Sequence, residues 1–293
     1  MEEPLGVGAY VVSRAMTSAL AVVIPTFNSA ATLDRCLVSL REQTHTPDEV
    51  VIVDDVRTTD GTRSIAARNG CSVVVSSAGR ARSRNEGFAA TASPYLFSVD
   101  ADMILRSDLL AKMMDGFEGG ADALTIREVA IGRGYWARGR ALDKMAVEAT
   151  RLGMSIRGVT RQLFDAIGGY DASLVAGEDL DLHRRAVEHG AIVCHIDSTY
   201  IEHDEGNLKL ARAIVKKYRY GKTVPAFETK HGSRALAGGF GTRLVTGCSI
   251  GAKKDPLAIP GFVALKLGEA VGGLAGRIVG HLHSPGEGVL HER

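Results

Sequence analysis

The stretch "YLFSVDADMILRSD" ends an apolar run in Asp100 and Asp102, with only Ala101 between them. Neighbouring carboxylates repel, so setting them at the end of a buried strand costs stability unless positive charge sits between them. A hard divalent cation is one such charge, because it prefers carboxylate oxygens; a solvated turn would also carry the same spacing. Asp54 and Asp55 form a second pair at the end of "EVVIVDD". Glu178 and Asp179 form a third at the start of "GEDLDLHRRA", ahead of the apolar Leu180, Leu182 and Ala186. Acids there either favour a helix N-terminus or place a base near a substrate hydroxyl; Asp181 lies further along the helix and reads as structural. Arg80, Arg82 and Arg84 precede Asn85 and Gly87. An arginine beside clustered aspartates holds their geometry and can reach a phosphate through its bidentate fork, although an exposed helix face would also accept arginines.

Positioning these groups falls to alternating strands and helices. "LAVVIP", "EVVIVDD", "CSVVVS" and "YLFSVDAD" are short continuous apolar runs of the kind that form strands covered on both faces. Between them, "NSAATLDRCLVSLREQ" has Ser29 as a cap and Leu33, Leu37 and Leu40 at helical spacing, "DGTRSIAARNG" closes on Gly70, and "RARSRNEGFAATA" is a third helix. A fourth helix, "SDLLAKMMDGFEGG", is capped by Ser107 and stopped by glycines. The alternation predicts an α/β, Rossmann-like, doubly wound and mostly parallel sheet, with ligands beyond the carboxyl ends of its strands. Thr26 to Asn28, Asp54 and Asp55, and Asp100 and Asp102 all fall at such ends.

The 293 residues, with net charge +1, suit one large domain with a C-terminal addition and give no case for a nucleic-acid partner. Cys36, Cys71, Cys194 and Cys248 show no paired spacing and read as reduced, buried, cytosolic cysteines. The first 18 residues lack the long apolar core of a signal peptide. The organisation expected is an N-terminal extension over 1–19, a catalytic domain over 20–205 and a helical, membrane-associated C-terminal region over 206–293.

Five pieces in order, "VVIPTFNSAATLDRCLVSL", "VIVDDVRTTDGT", "RSRNEGFAAT", "FSVDADM" and "IGGYDASLVAGEDLDLHRRA", resemble the family 2 glycosyltransferases of GT-A fold over roughly residues 20 to 205. One departure is "DDVRTTDGT", where the family usually carries Gly-Ser after the paired aspartates. The resemblance implies that Asp102 ligates Mg2+ or Mn2+, and that Asp100 contacts the ribose or the metal. Asp54 or Asp55 would accept from the base, with Pro25, Thr26, Phe27, Asn28 and Ala101 lining the nucleotide pocket. Arg84 best matches the family's RN-x-G piece. Asp179 would take the acceptor's proton while Glu178 orients Asp179 or the acceptor, and one in-line displacement inverts the anomeric centre. His203 in "YIEHDEGN" is either a further metal ligand, a diphosphate contact or a satisfied structural group, and His195 reads as core.

In the tail, "NLKLARAIVKKYRYGK" sets Lys209, Arg212 and Lys216 on one helical face and Leu208, Ala211 and Val215 on another, as a basic amphipathic helix that suits anionic lipid. In "PLAIPGFVALKLGEAVGGLAGRIVGHL" the charges Lys266, Glu269 and Arg277 fall on one narrow stripe. Three charges argue against a simple span, leaving the membrane interface, a partner subunit or ordinary core packing. The function expected is transfer of a sugar from a UDP- or GDP-linked donor, with inversion, to a hydroxyl or phosphate acceptor of lipid-linked, polyprenyl phosphate or small-metabolite type. The site is then cytoplasmic or peripheral on the cytoplasmic membrane face, and the chain a candidate homo-oligomer. A nucleotidyltransferase making a nucleotide-sugar is the alternative, but "PTFNSAATL" stands where its glycine- and arginine-rich loop belongs. A non-catalytic nucleotide-sugar binder would not need Asp100, Asp102, Glu178 and Asp179 together.

Overall fold

The computed structural model describes residues 18–77, 79–232 and 239–282. Most of the N-terminal extension and the last eleven residues lie outside them. Four parallel strands form the first half of the sheet: β1 (Leu20–Thr26), β2 (Glu49–Asp55), β3 (Ser72–Ser76) and β4 (Tyr95–Ser98). The helices α1 (Leu33–Arg41), α2 (Thr62–Arg68) and α3 (Arg80–Ala89) connect them. Then follow β5 (Met103–Leu105), α4 (Leu109–Glu118), β6 (Ala123–Arg133), α5 (Tyr135–Thr150), β7 (Ile156–Thr160), α6 (Arg161–Ala166), α7 (Glu178–Glu188) and β8 (Val193–Asn207). A C-terminal layer holds α8 (Leu210–Gly221), α9 (Val224–His231), α10 (Phe240–Lys254) and, after a short 3-10 turn, α11 (Ile259–Leu282).

Alternation along β1 explains the two cores. Leu20, Val22 and Ile24 enter one apolar cluster with α1 and α4, while Ala21 and Val23 enter another with α3, α6 and α7. Both faces are covered, as the apolar runs predict. The strand order is β3-β2-β1-β4-β7-β6-β8-β5. The strand order reverses at β1, which has β2 and β3 on one side and β4 on the other, so a crevice opens at the carboxyl ends of β1 and β4, where Thr26 to Asn28 and Asp100 to Asp102 leave the sheet. β7 is antiparallel to β4 and β6, and β5 is antiparallel to β8.

The sheet curls. A turn closed by Met103 N–H donating to the Asp100 carbonyl joins β4 to β5, and such a turn holds its ends within about 7 Å. In a flat sheet these strands would lie about 19 Å apart, four strand spacings. Register shifts between Ile126 and Glu128 on β6 supply the bend. The curl brings His203 on β8 opposite Met103, and so beside Asp102.

Local expectations were met unevenly. Gly70 closes α2 at φ 70°. Helix α1 starts at Leu33, and the Ser29 carbonyl, not its side chain, accepts from its first turn. Helix α4 follows Asp108, with no side-chain cap from Ser107. The four cysteines are unpaired, but Cys194 is exposed rather than buried. His195 is bonded to Thr125 and Glu148 rather than packed in apolar core.

The C-terminal layer inverts the expected faces. On α8 the packed residues include Leu210, Ala213 and Ile214, while Ala211 and Val215 are exposed. On α11 the charged stripe points inward: Lys266 and Glu269 are buried, bonding Asp143 and Arg140 of α5. The outward stripe, Leu267, Val271, Leu274, Ile278 and Leu282, is apolar and 49% to 77% exposed. Helices α8 and α11 meet through Gly268, Gly272, Gly276 and Gly280, which share one face at four-residue spacing. A Cβ on Gly272 would lie 2.5 Å from the Ile214 carbonyl oxygen, and one on Gly276 would lie 2.1 Å from that of Tyr218. The two backbones therefore touch, as in small-residue helix pairs.

Gly276→Ala should destabilise the protein by about 2 kcal/mol through overpacking. Gly273→Ala, whose new methyl meets nothing within 4 Å, should be neutral or stabilising by about 0.5 kcal/mol. Thermal melts of the two variants check the contrast; equal melting temperatures would refute the close contact.

Candidate active site

At the end of β1 the Thr26 hydroxyl donates to Asp54 Oδ1 at 2.7 Å. Asp54 is fully buried and also receives Thr58 Oγ1 at 2.8 Å and Arg63 Nε at 2.6 Å. Its carboxylate ties β1 to the loop before α2 and lies outside the lining of the cleft, so it is not placed to read a base. Asp55 does line the cleft. Arg57 binds both of its oxygens at 2.9 and 2.7 Å, and these hydrogen bonds hold its carboxyl below the usual carboxylate range. The Arg57 guanidinium also sits 5.4 Å from the exposed Phe27 ring. Asn28, at φ 47°, accepts from Thr59 N–H at 2.9 Å. Pro25, Thr26, Phe27, Asn28, Asp55, Ala101 and Asp102 thus share one cleft of about 560 Å³.

Behind this cleft runs a chain of alternating charge. Arg84, 1% exposed, donates to Glu178 Oε1 at 3.0 Å and to Asp100 Oδ1 at 2.9 Å. Arg157 donates to Asp100 Oδ2 at 3.2 Å and to Glu128 Oε1 at 2.7 Å. Lys144 pairs with Glu128, and His203 lies between Glu128, at 3.6 Å, and Asp102, at 3.3 Å. The positive charge that Asp100 requires is therefore two guanidinium groups. Burial would raise its carboxyl, but Arg157 and Arg84 hold it well below the ordinary value. Burial pulls the His203 imidazole down, yet the neighbouring Asp102 and Glu128 carboxylates carry it up to about 9.

Arg157 and Glu128 escaped the sequence reading. The available signal was charge inside a largely apolar strand, Arg157 in "IRGVT" and Glu128, beside Arg127, in "ALTIREVAIGR". Of the three arginines before Asn85, Arg84 is the buried one; Arg80 reaches Glu178 at 3.3 Å and Arg82 is exposed.

Glu178 is 1% exposed and faces the arginines, not a cavity; burial raises its carboxyl. Among the described residues its Oε2 has no partner. Asp179 turns the other way, into a second cavity of about 480 Å³. Its oxygens accept from Leu180 N–H at 3.0 Å and Ser155 Oγ at 3.3 Å, and it forms no ion pair among the described residues. The two cavities share a wall that includes Arg80, Asp100, His203, Arg212 and Lys216. The basic face of α8 thus looks into the clefts. Asp181 is fully buried, held by Arg185, Lys230 and His231, and is structural as expected.

Asp102 is 41% exposed on the cleft side and converges with His203 Nε2. Asp102 suits a hard cation that takes its remaining ligands from diphosphate and water, and His203 would join it as the neutral imidazole, giving up the proton that Asp102 and Glu128 favour. Both oxygens of Asp100 are engaged by arginines. Among the described residues no group of three or more His, Cys, Asp or Glu forms a complete metal cage.

The family model "Glycosyl transferase family 2" matches residues 21–170, half of the chain. The chain belongs to this family. Among the relatives of this family 2 protein is a pre-mycofactocin glycosyltransferase of Mycobacterium tuberculosis, 28% identical over an alignment of 229 residues that covers 72% of this chain and 47% of the relative. The chain thus spans about half the length of the curated relatives it matches. The fold is similar to a mannosyltransferase from Pyrobaculum calidifontis in complex with GDP-Man and Mn2+, with TM-score 0.56, 17% identity and coverage of 87% and 86% of the two chains. It is also similar to S. aureus TarS in complex with UDP-GlcNAc, with TM-score 0.53, 19% identity and coverage of 90% of each chain. The GT-A architecture expected of a family 2 member is therefore present. Family membership leaves the nucleotidyltransferase alternative without support.

Asp100→Asn should cost about 3 kcal/mol, because it leaves Arg84 and Arg157 short of a buried partner. Asp102→Asn, on the exposed side, should change stability by under about 0.5 kcal/mol. Urea titrations of both variants test this; equal losses would remove Asp100 from the centre of the network.

Proposed function

We propose that the protein transfers a sugar from a nucleoside-diphosphate sugar, UDP- or GDP-linked, to an acceptor oxygen with inversion. The observation that carries this reading is Asp179: a carboxylate free of ion pairs among the described residues, in a cavity sharing a wall with the cleft that holds Asp102. In this reading the base rests on the Phe27–Arg57 shelf beside Asp55. The diphosphate lies toward Arg212 and Lys216. Mg2+ or Mn2+ held by Asp102 and His203 would neutralise the charge that grows on the leaving diphosphate. The acceptor oxygen attacks the anomeric carbon as the bond to the diphosphate breaks. Its proton passes to Asp179, and the electron pair of the broken bond leaves with the nucleotide. Glu178 acts one step back, holding Arg84 and Arg80 and through them the shared wall.

Asp179→Asn should leave donor affinity within about twofold while kcat falls about 1000-fold, since general-base catalysis contributes 100- to 10,000-fold. A donor panel scored for released nucleotide, with and without Mn2+, provides the assay. Lost donor binding with kcat retained would make Asp179 a binding residue and overturn the mechanism.

We further propose that the outer face of α11 docks on an anionic lipid surface, in keeping with a lipid-linked acceptor. Segment 256–282 is apolar and long enough to span a bilayer, with mean hydropathy 1.4. Its inward ion pairs with α5 favour lying in the interface instead. The three acids between residues 208 and 282, Glu228, Asp255 and Glu269, are all ion-paired. Arg212, Lys216 and Lys217 face the cavities; the other exposed Lys and Arg of the described layer are Lys209, Arg219, Lys230, Lys253 and Lys254, with no exposed acid among the described residues there. A second copy of this face would bring like charges together, whereas anionic lipid complements them at about 1 kcal/mol per Lys or Arg near the surface. The full chain should sediment with anionic vesicles at low salt and detach as salt rises. Absence of binding at low salt would assign the face to a protein contact.

A further inference from the structure

The lining of the acceptor cavity is rich in positive charge, part of it met by Glu178 behind the wall, which pairs with Arg80 and Arg84. The lining itself carries nine Lys and Arg side chains against seven carboxylates. The surplus gathers around α5. Arg140 and Arg243 both bind Asp143, at 3.0 and 2.7 Å. Lys266 reaches Asp143 at 3.2 Å and Glu269 at 3.3 Å, and Arg140 also binds Glu269. Lys217 of α8 adds a fourth cation and forms no ion pair among the described residues. The nearest further carboxylate, Glu205, stands 3.6 Å from Arg140.

Donor hydrogens are also left over. The Nε atoms of Arg140 and Arg243 are buried with no hydrogen-bond partner among the described residues. Desolvation, with the like charges of Lys266 and Arg140, holds the Lys217 ammonium below its ordinary value against the pull of Glu269. Crowded cations and unmet buried donors both cost free energy that an anion would relieve. The cluster differs from the wall nearest the donor. Arg212 and Lys216 face both cavities, whereas Lys217, Arg140 and Arg243 line the acceptor cavity and not the nucleotide cleft.

We propose that Lys217, Arg140 and Arg243 form a seat for a phosphate or carboxylate group of the acceptor, remote from the oxygen that receives the sugar. The inference rests on the sugar-transfer reading for the word acceptor; the anion seat itself does not. Such a seat orients a charged acceptor with its reacting oxygen toward Asp179, in the same cavity. It also discriminates against neutral acceptors, which would leave the cations unmatched.

The test is calorimetric titration of the full chain with inorganic phosphate, the nucleotide cleft first being saturated with UDP or GDP. Wild type should bind phosphate and glycerol 3-phosphate, more weakly as sodium chloride rises, and should ignore glycerol. Lys217→Gln removes a side chain with no ion pair to break; it should melt like wild type, bind the nucleotide equally and lose at least tenfold in phosphate affinity. Lys217→Arg should restore the affinity to within threefold. Unchanged phosphate affinity in Lys217→Gln, or wild-type binding insensitive to salt, overturns the seat. Dodecyl phosphate bound tenfold tighter than glycerol 3-phosphate assigns the anion to a lipid; the reverse assigns it to a soluble ester. Phosphate binding retained in Asp179→Asn supports the seat independently of catalysis, so a failed transfer assay and a failed seat are told apart.

Discussion

Arg84 is the side chain on which the site depends. Its guanidinium is buried and clamps Glu178, 94 residues away, to Asp100, 16 residues away, joining the start of α7 to the end of β4. Without that charge the buried Glu178 and the part-buried Asp100 would face each other with no cation between them, leaving only Arg80 on the one and Arg157 on the other. Arg157 repeats the arrangement on the other oxygen of Asp100 and passes it to Glu128. The network explains how an acid-rich crevice can sit at the end of a buried parallel sheet. It also sorts the acids. Those inside the chain, Asp100, Glu128 and Glu178, are held by cations; those at its open ends, Asp102 and Asp179, are left to meet ligands.

Much of the first half was legible because its physics is local. Continuous apolar runs mark doubly covered strands, and the ends of those runs mark the crevice, so Thr26 to Asn28, Asp55 and Asp102 could be placed before any geometry was known. What sequence spacing does not carry is the direction in which a carboxylate points. Asp54 and Asp55 are adjacent on a strand, so they face opposite sides. One became a buried tie between loops and the other a wall of the cleft. Glu178 and Asp179 diverge in the same way at a helix start, one toward the arginines and one into the second cavity. Arg157 and Glu128 were hidden because their partners lie 57 and 29 residues away, and only the curl of the sheet brings them together.

In the C-terminal layer, spacing located the charged stripe of α11 but not the side on which it packs. A helix with one charged stripe is ordinarily taken to bury its apolar side. Helix α11 does the reverse, because α5 presents Arg140 and Asp143 as partners for Lys266 and Glu269. A periodicity shows that a helix has two faces; which face is inside depends on the neighbour. The basic face of α8 followed suit, becoming a cavity wall.

The glycine stripe between α8 and α11 has its own ambiguity. Its contact surface repeats every four residues, so sliding one helix along the other by four residues, about 6 Å, re-seats three of the four glycines. Backbone packing alone therefore leaves the pair with nearly degenerate docking positions. Lys266 and Glu269 break the degeneracy indirectly: they fix α11 along α5, which carries Asp143 and Arg140, so α8 meets a helix whose position is already set. In this layer the buried ion pairs serve as an index mark: glycine packing makes the helices adhere, and charge decides where along each other they stop.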